Sequence, residues 1–178
     1  MCSMYGQRQR KNSREERNMV SMTRQSRGEG GGGPLLRYRL AAEPGYPAGQ
    51  PILIRFTLEN MADGDLWVLT WYTPLEGLMG RIFTVTCDGR EILYEGMMVK
   101  RGDPGSKDYM HISPHGSVSA VVDLSEAYPL HACRECRVRF RGRIHDVVRA
   151  KGTLPRKSDD HEGMDIEGNS VIFRIGEG

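Results

Sequence analysis

The residues best placed to do chemistry are Cys133 and Cys136, two thiols with two residues between them, just ahead of a run of alternating arginines. Such spacing suits zinc, which can take two thiolates from one short segment and two further ligands from elsewhere. The imidazoles that can complete a four-ligand set are His131 and His161, so Cys133, Cys136, His131 and His161 are the weak metal candidates. His145 sits past the far end of the following strand, too distant if that strand stays extended. A redox pair wants its first cysteine at a helix N-terminus, where the thiolate is stabilised. This pair precedes a strand instead. A structural disulfide between Cys87 and one of the pair, or thiols that stay free or buried, are the remaining states. No bound metal and no other cofactor is expected.

Other catalytic arrangements lack a local signature. The chain has no HExxH, no phosphate-binding Walker loop and no GxSxG elbow. Asp159, Asp160, His161, Glu162, Asp165 and Glu167 form an acidic cluster without the ordered spacing of a calcium loop, which reads as a solvated insert. Arg101, Gly102 and Asp103 spell an adhesion tripeptide, but the neighbouring Pro104 suits a plain turn. The expectation is a non-enzymatic protein.

The element that positions the cysteine pair is better defined than any activity. Cys136, Val138, Phe140, Gly142 and Ile144 alternate with Arg137, Arg139, Arg141 and Arg143. Period 2 means a strand with one face in a core and the other in water, and its arginines form a comb about 20 Å long. Arg37, Arg39, Arg55 and Arg174 point outward on strands of their own. If those strands are neighbours, one sheet face becomes basic and suits an acidic partner or a polyanion. The alternative is cross-strand pairing with Glu43, Glu59 and Asp123, the arginine stems covering apolar surface.

The same alternation recurs along the chain. Leu36–Leu40, Ile52–Glu59, Leu66–Tyr72, Arg81–Cys87, Glu91–Tyr94, Tyr109–Ile112, Ser117–Leu124 and Val171–Ile175 all read as strands. Asp88 and Gly89 between two β-rich runs predict a tight hairpin. Leu66–Tyr72 is apolar on both sides, so it is central or has a loop over its outer face. Residues 43–51 and 73–80 read as loops, and 149–169 as a long polar loop or insert. Ser125 and Glu126 can begin one helical turn that Pro129 stops. With no helical periodicity, the economical solution is an all-β fold of two packed antiparallel sheets, a sandwich of about seven to nine strands.

At 178 residues the chain suits one domain with a tail. Residues 1–33 hold seven basic and three acidic side chains and are rich in Arg, Ser, Gln and Gly, so they read as a disordered basic arm. The sandwich is expected over 34–178, where 18 basic residues meet 20 acidic ones. That near-neutral balance makes nucleic acid an unexpected partner. Four cysteines are too few for a disulfide-built scaffold of this size. There is no apolar run long enough to span a membrane and no visible signal peptide.

Three stretches carry a family likeness: Leu66–Gly77 with its Thr73, Pro74, Leu75, Glu76, Gly77 loop, the hairpin Cys87–Gly96, and Gly116–Tyr128. Together they resemble the immunoglobulin-like, non-catalytic N-terminal region associated with deuterolysin and peptidyl-Lys zinc endopeptidases. The likeness covers about residues 35–148. It implies an immunoglobulin-like sandwich working beside a peptidase, as a prodomain-like unit, an inhibitor or a stand-alone module. It also implies export, at odds with the missing signal peptide. The HExxH of such peptidases belongs to a following domain and is absent here, so their activity does not carry over. On the resemblance, Thr73, Pro74, Leu75, Glu76, Asp123, Ser125 and Tyr128 are candidate binding residues, and Arg137, Arg139, Arg141 and Arg143 add the basic face. Loop geometry and local hydrogen bonding are the plainer roles for the first seven.

Three functions follow. The first is a protein-binding module, with a peptidase the expected partner and edge-strand pairing an easy route. The second is polyanion binding through the basic arm and the arginine face, marked by steep salt dependence. The third is a metal-dependent hydrolase uniting His111, His115 or His131 with acids or cysteines.

Overall fold

The structure is a computed structural model that describes residues 33–149 and 151–176. Alternating burial sets its frame. Leu36, Tyr38 and Leu40 turn inward on β1 (Leu36–Ala41), while Arg37 and Arg39 face solvent. β2 (Gly45–Pro47) follows within the segment expected to be a plain turn. β3 (Leu53–Asn60) buries Ile54, Phe56 and Leu58. Then come β4 (Leu66–Leu69), β5 (Phe83–Cys87), β6 (Arg90–Ile92), β7 (Tyr109–Ile112) and β8 (Ser117–Asp123). The chain continues through β9 (Glu135–Phe140), β10 (Arg143–Ile144), β11 (Val147–Val148), β12 (Met164–Asp165), β13 (Glu167–Gly168) and β14 (Ser170–Gly176). The described residues hold 3-10 turns but no α-helix, and none of their helical turns is long and apolar enough to cross a membrane.

The strands build an all-β sandwich. One sheet runs β13-β1-β3-β8, and the other runs β2-β14-β9-β5-β6. A three-stranded sheet, β11-β4-β7, and the short β10-β12 ladder complete it. Most pairs are antiparallel, but β13 joins β1 and β2 joins β14 in parallel. The count of 14 exceeds the expected seven to nine because two- and three-residue strands are too short to show a period.

Phe140 is where the two large sheets meet. The rings of Tyr38 and Phe56 from the first sheet stand edge-on to it, at 5.3 and 5.1 Å between centroids. Phe83, from neighbouring β5, lies 6.2 Å away. Edge-to-face contacts suit the ring quadrupole and add to what simple burial supplies. Truncating a fully buried phenylalanine to alanine costs about 3–5 kcal/mol, so this side chain is a major tie between the sheets.

The arginine strand differs from expectation in one respect. Burial alternates without fault from Cys136 to Ile144, but the ladder breaks after Phe140. Gly142 takes a left-handed φ of 78°, and its carbonyl accepts the Ile166 N–H at 2.6 Å. A Cβ there would lie 2.8 Å from the Ile166 carbonyl oxygen. The break re-aims the chain, so β9 pairs with β5 and β14 while β10 pairs with β12.

The hairpin is as expected. Asp88 and Gly89 link β5 to β6 with φ of 46° and 81°, the double left-handed signature of a type I′ turn. β4 lies between β11 and β7 and is apolar on both faces because Leu66 and Val68 enter the main core while Trp67 and Leu69 pack into a second, smaller cluster with Leu154. The expected loop at 149–169 is partly structured, with 3-10 turns at Lys151–Thr153 and Ser158–Asp160 and strands β12 and β13. The reading of 1–33 as a disordered basic arm lies outside the described residues, Gly33 apart.

Candidate functional site

The cysteine pair stands at one end of the five-stranded sheet. Cys133 ends a turn closed by its N–H donating to the Leu130 carbonyl at 3.0 Å, and Cys136 begins the inward row of β9. Both are buried. Their sulfurs are 2.6 Å apart. Cys87 is the Cα partner of Cys136 across β5 and β9. The sequence offers Cys87 as a possible partner of either cysteine, and the pairing of β5 with β9 is what brings this third thiol to the pair.

Asp88 fixes the turn from outside. Its carboxylate accepts the Glu135 N–H at 2.9 Å and the Arg134 N–H at 3.3 Å, while its own N–H donates to the Glu135 carbonyl at 2.9 Å. Those two backbone donors hold the carboxyl below its usual range. The thiols move the other way. Burial, and then the neighbouring Cys133, push the Cys87 thiol up to about 12. Burial followed by the Cys136 sulfur does the same to Cys133, again to about 12.

The four weak metal candidates, Cys133, Cys136, His131 and His161, are not brought together. Among the described residues, the ligand atoms of Cys87, Asp88 and Cys133 form one group lying within 4.8 Å of one another. Neither His131 nor His161 belongs to that group. His131 is exposed on the turn before Cys133, and His161 lies in the 149–169 segment with its Nε2 buried and unpartnered. His111 and His115 pair with Asp65 and Asp63 at the surface, at 2.7 and 3.0 Å.

The candidate loop residues hold their own loops. Thr73 is fully buried, donates to the Thr70 carbonyl at 2.6 Å and accepts the Leu75 N–H, capping the 3-10 turn Pro74–Glu76. Glu76 accepts the Tyr72 N–H at 2.7 Å and forms an ion pair with Arg101. Tyr72 needs that support, since its φ is 57°. Arg101 also stacks on Trp71, 5.0 Å from the ring centroid. Asp123 accepts from the Ile52 N–H, the Ser125 N–H and the Ser125 hydroxyl, while Tyr128 is buried and donates to the Phe83 carbonyl at 3.2 Å. Of these candidates, Ser125 alone is exposed at its position. With Tyr128 it lines a shallow recess shared with Ile52, Leu130 and Ile175.

The arginines do not join into one face. Arg37, Arg39 and Arg55 belong to β1 and β3, whereas Arg137, Arg139 and Arg174 belong to β9 and β14 of the other large sheet. Arg39 pairs with Glu59 at 3.0 Å, one of the cross-strand pairings anticipated, and Arg143 pairs with Asp165 at 3.1 Å. Arg137, Arg139 and Arg141 are exposed and form no ion pair among the described residues. The comb is therefore a three-arginine patch flanked by Thr84, Thr86 and Ser170.

Sequence reasoning passed over one further surface. After edge strand β6 the chain forms a strap whose backbone is pinned: Glu95 N–H donates to the Ala127 carbonyl at 2.8 Å and Val99 N–H to that of Met79 at 3.3 Å. The Tyr94 hydroxyl bonds the Leu78 and Met97 carbonyls. Yet Leu93, Met97 and Met98 are 68%, 64% and 77% exposed. In sequence Met97–Val99 reads as an extension of the hairpin's second arm or a short separate strand, but β6 stops at Ile92 and these residues form no strand.

No family model matches the chain. Over 89 residues it is 27% identical to a curated protein of Aeromonas hydrophila named "Extracellular protease", a match covering 50% of this chain and 25% of that protein. Half of this chain is thus similar to a quarter of an extracellular protease.

Proposed function

We propose that this sandwich is a non-catalytic, protein-binding module that works beside a peptidase. The observation that carries the reading is the strap after β6, where a pinned backbone presents Leu93, Met97 and Met98 to solvent. An ordered apolar surface of this kind loses little entropy when a partner covers it, and methionines adapt to irregular partner surfaces. The edge of β6 lies next to it and can accept an extended segment. The partial similarity to an extracellular protease supports a peptidase as the partner. The family likeness of Leu66–Gly77, Cys87–Gly96 and Gly116–Tyr128 supports the finer reading of an immunoglobulin-like, prodomain-like region of the deuterolysin and peptidyl-Lys type.

The test is binding of the full chain to a deuterolysin-type zinc endopeptidase, followed by calorimetry, with the peptidase rate recorded in parallel. Saturable one-to-one binding that weakens at least tenfold in a L93D/M97D/M98D variant supports the reading. Absence of binding, or an unchanged affinity in that variant, overturns it. A second reading, polyanion binding, is favoured by the unpaired Arg137, Arg139 and Arg141.

A further inference from the structure

The three thiols at the end of the five-stranded sheet carry an inference separate from partner binding. Cys133 is held by the turn hydrogen bond to Leu130 and by the Asp88 clasp on the next two residues, and Cys136 is fixed in β9. Their sulfurs therefore meet at 2.6 Å without help from a mobile segment. Two thiolates on one zinc ion, each about 2.3 Å from it, stand about 3.7 Å apart across a tetrahedral edge. The pair is too close for that. A disulfide needs about 2.05 Å between sulfurs, reached by a small adjustment of the two side chains.

We propose that Cys133 and Cys136 form a disulfide that closes the turn leading into β9, with Cys87 remaining a thiol beside it. The oxidant belongs to the class of small-molecule disulfides. One protein thiolate attacks a sulfur of the oxidant and expels one small thiolate. The second protein thiolate then attacks the mixed disulfide, forms the Cys133–Cys136 bond and expels the other. The two protein thiols lose two protons and two electrons, and the oxidant becomes two small thiols. Cys87 is the poorer partner for Cys136 although the two are Cα neighbours, because the Cys133 sulfur already occupies the contact. The linkage closes the loop Cys133–Cys136, whose Cys133, Arg134 and Glu135 border a surface recess with Ala48, Arg174 and Gly176.

The sequence makes the assignment direct. Trypsin cuts after Arg134, between the two cysteines, and leaves Cys87, Cys133 and Cys136 in the separate peptides 82–90, 108–134 and 135–137. The full chain is equilibrated with oxidised glutathione, alkylated, digested and weighed without reduction. The expected result is peptide 108–134 joined to 135–137, two hydrogens lighter than their sum, with 82–90 alkylated. A C87S variant keeps that link and C136S loses it. A link through 82–90, full alkylation of Cys87, Cys133 and Cys136, or a zinc ion retained in the native mass of protein prepared without oxidant overturns the proposal. The wild-type peptide map alone decides the matter if a variant fails to fold.

Discussion

Tyr109 on β7 donates a 2.7 Å hydrogen bond to the carboxylate of Asp146, a side chain with no solvent exposure. The same carboxylate accepts the Glu162 N–H at 2.9 Å and faces the Arg156 guanidinium at 3.3 Å. One buried acid thus ties the three-stranded sheet to the polar segment 151–169. Around it, Leu69, Trp71, Tyr109 and Val148 form a second, smaller core against which Leu154 packs.

Asp146→Ala should therefore destabilise the fold by about 3 kcal/mol, because it leaves the buried Tyr109 hydroxyl and the Glu162 N–H without their acceptor and strips the Arg156 guanidinium of one partner, Glu162 and the Asp160 carbonyl remaining to it. Tyr109→Phe should cost only about 1 kcal/mol, since it removes one bond of the set. Urea unfolding measures both. The locking role has its own mark: D146A should be cut by protease between 149 and 163 well before the wild type. Equal cleavage rates in the two proteins would leave Asp146 an ordinary core acid.

Gly142 is the kink that divides the arginine strand. Ala at this position meets the Ile166 carbonyl oxygen at 2.8 Å and must hold a left-handed φ. The expected loss for Gly142→Ala is about 2 kcal/mol, combining overpacking with backbone strain. Thermal unfolding reads it, and a Tm within a degree of wild type would show that the β10–β12 ladder can shift to accommodate the methyl group.

How far the sequence led can be judged on these residues. Alternation placed Phe140 inward and Arg139 outward correctly, because burial has the same period as the pleat. Asp88 and Gly89 declared their turn because both positions need left-handed backbone. The same alternation passed straight through the break at Gly142, since a kink there leaves the inward and outward order intact. β2, β12 and β13 escaped notice because two or three residues cannot display a period. Cys87 could be named from the sequence only as one possible partner of the pair: its place beside Cys133 depends on β5 and β9 being neighbours, a long-range pairing that no local pattern encodes. For Thr73, Asp123 and Tyr128, their short-range hydrogen bonds explain those residue types as parts of the scaffold.

The thiol cluster should be sluggish while reduced. At the ordinary thiol value of 9.0 about a tenth of a cysteine is ionised at pH 8. With Cys87 and Cys133 each pushed up to about 12, their thiolate fraction is on the order of a thousandfold lower. Their iodoacetamide rates in reductant-treated protein should fall far below that of a cysteine peptide and climb until about pH 12. The linked effect on stability has a definite sign. A thiol whose folded value is raised favours the fold fully below about pH 9, and that contribution is lost as pH rises from there through about 12. Peptide-like alkylation rates at pH 8 would mean that the cluster opens freely.

The three unpaired arginines make the last prediction. Arg137 and Arg139 alternate on one face of β9, separated from Arg37 and Arg39 by the thickness of the sandwich. A polyanion can engage one patch at a time, so its affinity should be modest and salt-sensitive. An R137E/R139E variant should bind heparin at least tenfold more weakly than wild type at low salt, whereas R37E/R39E should lose much less. Arg137 and Arg139 are exposed and form no ion pair among the described residues, so the R137E/R139E midpoint should stay near wild type, whereas R37E/R39E breaks the Arg39–Glu59 pair and should unfold somewhat earlier. Equal losses from the two variants would point to diffuse attraction to net charge, and intact heparin binding in R137E/R139E would remove the arginine strand from the account.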